Sequence, residues 1–194
     1  MSDAGRVIAG SAKGIRLTAP SAEGTRPLTD RVKQTLFAIL EPYLEGARVL
    51  DLFAGSGGAG IEALSRGAAE ATFVEHDRRT AGAIRQNLRR TRLTEKAHVR
   101  ATTVDSFLAA PSGGPFDLVF LDPPYEDVGS LRSALAALGA PIAPLADGAR
   151  VVAKHFWRDA PPARIGLLAS ERDRRFGETA LTFYRRIAEG SQGG

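Results

Sequence analysis

Two short stretches of this chain combine residue types and spacings suited to chemistry. In "VLDLFAGSGGAG" an aspartate, Asp51, stands four residues ahead of Gly55, and Gly55, Gly57 and Gly60 follow the G-x-G-x-x-G pattern; Glu75 comes twenty residues after Gly55. In "FDLVFLDPPYED" an acid, two prolines and an aromatic ring, Asp122, Pro123, Pro124 and Tyr125, follow an apolar run. Glycines in such a turn let the backbone approach a ligand closely, and a dinucleotide site shows the same glycines with the same distant acid. Asp51 separates the readings, because a carboxylate suits a cationic ligand and repels a pyrophosphate. S-adenosylmethionine carries an ammonium and a sulfonium, has no phosphate, and offers ribose hydroxyls that Glu75 can accept. The expected cofactor contacts are Asp51, Phe53, Ala54, Gly55 and Gly57 in the loop, Glu75 with His76, and Asp105 with Ser106 for the adenine amino group. Capping of the following helix is the competing role for Asp105.

Beside a methyl donor, Asp-Pro-Pro-Tyr makes chemical sense. An exocyclic amine on a nucleobase is a weak nucleophile, since its lone pair is delocalised into the ring. Asp122 can accept one amine hydrogen and the Pro123 carbonyl the other, which turns the lone pair toward the methyl. The prolines fix that carbonyl, and Tyr125 offers a stacking face worth about 1–3 kcal/mol. Positioning supplies most of the catalysis, and the base has to leave its stack to enter.

These residues need strand ends to stand on. "ARVLDLFA", "ATFVEH", "HVRATTV", "FDLVFLD" and "ARVVAKHF" read as strands, with "GGAGIEALSRG", "RRTAGAIRQNLRRT" and "VGSLRSALAALG" as helices between them. "TALTFYRRI" is a late strand with clear alternation. Alternating strands and helices predict an α/β fold with a parallel sheet covered on both faces, and such sheets bind ligands at the carboxyl ends of their strands. Asp51, Glu75, Asp105 and Asp122 all fall at or just past such ends. Ahead of this unit, "RVIAGSAKGIRLTAP" predicts a hairpin around Ser-Ala-Lys-Gly. In "TRPLTDRVKQTLFAILEPYL", Thr29 or Asp30 caps a helix with Val32, Leu36, Ile39 and Leu40 at helical spacing. The tail "EGSQGG" is expected to be disordered.

Composition narrows the classes. The 194 residues suit one domain, with 43% hydrophobic residues and a net charge of +4. The absence of cysteine excludes disulfides, thiolate zinc sites and a cysteine nucleophile. The three histidines are too scattered in sequence for a metal site, so no metal is expected. No apolar run approaches a membrane span and no leader is visible, so a soluble, cytoplasmic protein is expected. Residues 1–35 hold six basic residues against three acidic, and residues 76–100 hold eight against two. The first cluster is read as an RNA grip through Arg6, Lys13, Arg16, Arg26 and Arg31, the second first of all as a solvated helix face.

"RVIAGSAKGIRLTAP", "TRPLTDRVKQTLFAIL", "VLDLFAGSGGAGIEALSRGA", "FVEHD", "FDLVFLDPPY" and "FGETALTFY" together resemble the RsmD-type methyltransferases of small-subunit ribosomal RNA, over almost the whole chain. The resemblance implies a Rossmann-like class I S-adenosylmethionine-dependent methyltransferase sheet of seven strands, the last antiparallel, with an N-terminal β-hairpin extension. It also implies methylation of the N2 amino group of one guanine in 16S rRNA, on a partly assembled small subunit with possible contact to ribosomal proteins, by a monomer. Carried over by position, the glycine loop and Glu75 line the cofactor site, and residues 122–125 hold the guanine. The expected division is a hairpin and RNA-binding extension over 1–28, the methyltransferase domain over 29–188 and a tail over 189–194. Gly58 and Ala59 stand where the family has Ala-Leu, Leu28 where a threonine is usual, and Lys154 where a glutamate often follows the fifth strand. The rivals are an adenine-N6 methyltransferase, a nicotinamide-dependent oxidoreductase, and a non-catalytic RNA-binding assembly factor.

Overall fold

The computed structural model describes residues 1–20 and 29–188 of the chain. It opens on an antiparallel pair, β1 (Ser2–Arg6) and β2 (Arg16–Ala19). The pairing lies farther from Ser-Ala-Lys-Gly than the sequence pattern predicts, and the connecting loop is longer. The reason is where the backbone donors go. Ile8 and Ala9 N–H donate to the two carboxylate oxygens of Glu62, at 2.8 and 3.0 Å, Ser11 N–H to Ser65 O at 2.8 Å, and Ala12 N–H to Ser65 Oγ at 2.9 Å. A donor can be satisfied by a side chain as well as by a ladder, and here the loop is spent on docking.

α1 (Asp30–Leu40) starts at Thr29, whose hydroxyl accepts from Val32 N–H. It buries Val32, Leu36, Phe37 and Leu40, so Phe37 takes the place expected of Ile39, which is only partly covered. Then come β3 (Arg48–Leu52), α2 (Gly58–Ser65), β4 (Glu70–Val74), α3 (Arg78–Thr91), β5 (Ala97–Arg100) and α4 (Val104–Ala109). β6 (Phe116–Leu121), α5 (Val128–Leu138), β7 (Leu145–Phe156), β8 (Arg164–Ile165), β9 (Leu168–Phe176) and β10 (Thr179–Arg186) complete the chain.

The main sheet runs β5-β4-β3-β6-β7-β10-β9-β8. β5 through β7 pair in parallel, and β10, the last strand, is antiparallel to both of its neighbours. Seven strands of four residues or more, the last antiparallel, thus make the expected sheet, with the two-residue β8 as an addition at the edge. Alternate strand residues feed two cores. Val49, Phe73, Leu118 and Phe120 pack on one face with α1, α2 and α3, while Leu50, Val74, Val119 and Leu121 pack on the other with α4 and α5. Burial on both faces is why these strands read as continuous apolar runs. β3 lies between β4 and β6, so the strand order reverses there, and Leu52 pairs with Leu121 in register. The loops after β3 and β6 therefore leave the sheet side by side.

Candidate active site

The loop after β3 turns sharply. Phe53, Gly55 and Gly57 have φ of 60, 55 and 78°, so the chain enters left-handed space three times in five residues. Phe53 does so with a side chain, at a strain of about 1 kcal/mol or more. Ala54 N–H donates to Val74 O at 3.0 Å and Gly57 N–H to Ala54 O at 2.7 Å, which ties the loop to the end of β4 and to itself. Gly60 meets a different need: a Cβ there would sit 2.4 Å from the Phe73 ring. The first two glycines supply backbone conformation and the third supplies room.

Asp51 is 2% exposed, and its Oδ2 accepts from Gly60 N–H at 2.8 Å. Burial pushes its carboxyl up to about 8, with the negative charges of Asp122 and Glu75 adding, and the Gly60 N–H and Lys33 ammonium opposing. Three acids thus converge where β3, β4 and β6 end, and a cation is the ligand that relieves them. Glu75 accepts from Gly55 N–H at 3.0 Å and from Asp77 N–H at 2.9 Å. A carboxylate has about four acceptor sites, so two remain for a diol. The His76 ring, 77% exposed, reaches Glu75 at 3.2 Å. Asp105 lies in the first turn of α4, beyond the strand that neighbours Glu75's, and its Oδ1 accepts from Ser133 Oγ on α5 at 3.2 Å. Capping is not its role, since the α4 cap is Thr103, whose hydroxyl accepts from Ser106 N–H.

At the end of β6, Asp127 N–H donates to Pro124 O, and Asp127 caps α5 through Ser130 N–H, so the Asp-Pro-Pro-Tyr turn is held from behind. Pro123 is buried and Tyr125 is 37% exposed. The Tyr125 hydroxyl meets Thr179 Oγ1 on β10, and its ring stands 6.4 Å from that of Phe156. Lys154, on the neighbouring β7, donates Nζ to Asp122 Oδ1 and lies 5.0 Å from the Tyr125 ring centroid. A cleft lined by Pro123, Pro124, Tyr125, Lys154, Phe156 and Asp159 opens beside this group. The sequence marks Lys154 only as a departure from the family and does not place it at Asp122 and Tyr125. Its signal was a charge in the apolar run "ARVVAKHF", five residues past the start of the run.

Of the predicted RNA grip, Arg6 pairs with Asp30 at 2.8 Å and Arg16 with Asp3 at 2.6 Å, all at the surface. Lys13 and Arg31 are exposed, and Arg26 lies outside the described residues. Lys33, counted among the N-terminal cations, is buried and donates to Arg6 O at 2.8 Å; burial holds its ammonium below the usual lysine range. On α3, Arg78, Arg79, Arg85, Arg89 and Arg90 are exposed. Among the described residues, no group of three His, Cys, Asp or Glu is placed to hold a metal ion, and no helix is long and apolar enough to cross a membrane.

The chain has counterparts in sequence and in fold. The family described as Conserved hypothetical protein 95 matches residues 5–185. Ribosomal RNA small subunit methyltransferase D of Escherichia coli strain K12 is 38% identical over 185 residues, which span 95% of this chain and 91% of that protein. The solved structure of yhhF from Escherichia coli superposes with a TM-score of 0.86 at 36% identity, covering 97% of this chain and 100% of that one. An RNA methyltransferase from Salinibacter ruber, solved in complex with S-adenosyl-L-homocysteine, shares the fold with a TM-score of 0.63 at 16% identity, over 86% and 97% of the two chains.

Proposed function

Because the chain belongs to the Conserved hypothetical protein 95 family, that of ribosomal RNA small subunit methyltransferase D, we propose that it methylates the N2 amino group of one guanine in 16S rRNA, with S-adenosylmethionine as donor. The observation that carries this reading is the convergence of Asp51, Glu75 and Asp122 at the adjoining ends of β3, β4 and β6. The donor set fits the cofactor. Asp51, buried among like charges, suits an ammonium or sulfonium. Phe53, Ala54, Gly55 and Gly57 present turned backbone, and Glu75 keeps acceptor sites for the ribose. His76, Asp105 and Ser106 flank that set. Bound there, the cofactor supplies an electrophilic methyl group.

The remaining work belongs to the chain. Lys154 occupies Asp122 Oδ1, which leaves Oδ2 to accept from the guanine amine. The Pro123 carbonyl accepts the second amine hydrogen, and Tyr125, steadied by Thr179, stacks on the purine. Residues 1–28 grip RNA and residues 29–188 carry the chemistry. The substrate is a partly assembled small subunit in the cytoplasm, met by a monomer. Methyl transfer from labelled S-adenosylmethionine to small subunits from a strain lacking this protein tests the reading, with naked 16S rRNA and DNA in parallel. N2-methylguanosine at one site is the expected product. N6-methyladenine in its place would overturn the base assignment, and no transfer to any substrate would overturn the enzyme assignment.

A further inference from the structure

Beyond the pocket the aromatic surface continues. The Tyr125 ring centroid lies 6.4 Å from that of Phe156 with the planes tilted by 60°, and Phe156 lies 6.3 Å from Trp157 with a tilt of 51°. The Arg175 guanidinium lies over the Trp157 ring at 3.7 Å from its centroid, and that of Arg158 at 4.9 Å. This ladder is built, not draped. Trp157 N–H donates to Glu178 O at 3.0 Å across the β9–β10 turn, and Arg175 Nε donates to Gly177 O at 2.8 Å in the same turn. Phe156 pairs in register with Thr179, the residue that holds the Tyr125 hydroxyl. Phe156 and Trp157 stay part-exposed, and Arg158, Arg172, Arg174 and Arg175 are exposed around them.

Resting on the proposed function, we infer that this ladder is a second RNA site, a platform on which the bases flanking the target guanine stack as single strand. Aromatic faces and guanidinium planes are the surfaces on which unstacked bases lie, and a flipped base leaves its neighbours in need of partners. Charge favours nucleic acid only modestly, because Asp159, Asp173 and Glu178 share the rim, although Asp173 is engaged by Thr182 at 2.6 Å. Stacking therefore carries more of the contact here than counterion release does. The N-terminal grip has the opposite balance.

Trp157 is the one tryptophan of the chain, so it reports on its own surface. An RNA stem-loop with a guanine in its single-stranded loop, titrated into the full chain, quenches tryptophan fluorescence, whereas the same stem closed into a perfect duplex does not. Trp157→Ala weakens binding of the stem-loop, measured by filter retention, about five- to one-hundredfold with its salt slope unchanged. Trp157→Phe restores most of the affinity, and Arg175→Gln lowers the salt slope by about 0.7. S-adenosylmethionine affinity stays at the wild-type value in all three. Fluorescence unchanged at saturating stem-loop overturns the platform without reference to any variant. So does a response that appears only with whole subunits, which would mark a ribosomal-protein contact. Methylation of subunits without quenching sinks the platform alone. Quenching without methylation leaves the platform standing and sinks the enzyme.

Discussion

Asp122 and Asp51 are both strand-end acids, and the structure gives them opposite surroundings. Asp122 is part-exposed with a lysine on one oxygen. Replacing it by alanine is expected to lower kcat roughly 10²–10³-fold, the scale for losing one positioned polar contact to the reacting group. Cofactor affinity should stay within twofold or so, as a direct binding titration would read, because Asp122 is assigned to the amine and not to the donor. Asp51 is buried, and its carboxyl is pushed up to about 8, so below that pH it holds a proton in the free protein. A cationic ligand binds best to the ionised form. Affinity for S-adenosylmethionine should therefore tighten as pH rises toward 8, by up to about tenfold per unit, and level off above. Calorimetry in buffers of different ionisation enthalpy would detect the released proton; an affinity that does not vary between pH 6 and 8 would sink the assignment. Both aspartates were legible in the sequence as acids ending apolar runs. Lys154 was legible as a departure from the family but not as Asp122's partner, because that partner is set by the pairing of β6 with β7, which adjacency in the chain does not reveal. The left-handed Phe53 was not legible, since nothing in its type demands that conformation.

At the scale of elements, legibility followed burial. α3 appears at the residues its pattern predicts, because a basic outer face and a buried Ala81, Ile84, Leu88 stripe alternate cleanly. β9 left no pattern: Glu171, Arg172, Asp173, Arg174 and Arg175 are exposed in succession, so neither face imposes alternation. The hairpin was legible as a pair and illegible in register, because its loop donors belong to α2. That docking makes a sharp test. Gly10 has φ of 80°, and a Cβ on it would sit 1.7 Å from Ser65 O. Gly10→Ala should destabilise the protein by roughly 1–3 kcal/mol or more, since backbone must move to admit it. Gly14, at φ 84° with nothing near its Cβ, should be affected less by the same change. Equal melting temperatures for the two variants would show that the docking contact is slack.

For the molecule as a whole, a parallel sheet with its site at the carboxyl ends of the strands was readable from the strand–helix rhythm; the order of the strands was not. The boundary drawn at residue 28 is another matter. β1, β2 and their loop bury Ala4, Val7, Ala12 and Leu17 in the same core as α1, α2 and α3, and they supply two of the donors to the fully buried Glu62. A chain starting at residue 29 loses that apolar cover and leaves a carboxylate short of partners. It should melt well below the full chain or fail to fold, as circular dichroism would show; an unchanged melting temperature would show that the boundary is also a folding one. The extension is proposed to have a task of its own, yet it is joined to the rest in its core. Asn87 carries that joining one step further. Its amide nitrogen donates to Thr18 O in the hairpin at 2.8 Å and to Ser56 O in the glycine loop at 2.9 Å. One buried amide thus spans the hairpin proposed to meet RNA and the loop proposed to meet the methyl donor. If the two sites shift together through that amide, the linkage is reciprocal: whatever factor the donor adds to the grip on RNA, RNA returns to the grip on the donor. The order of arrival then does not alter the final complex.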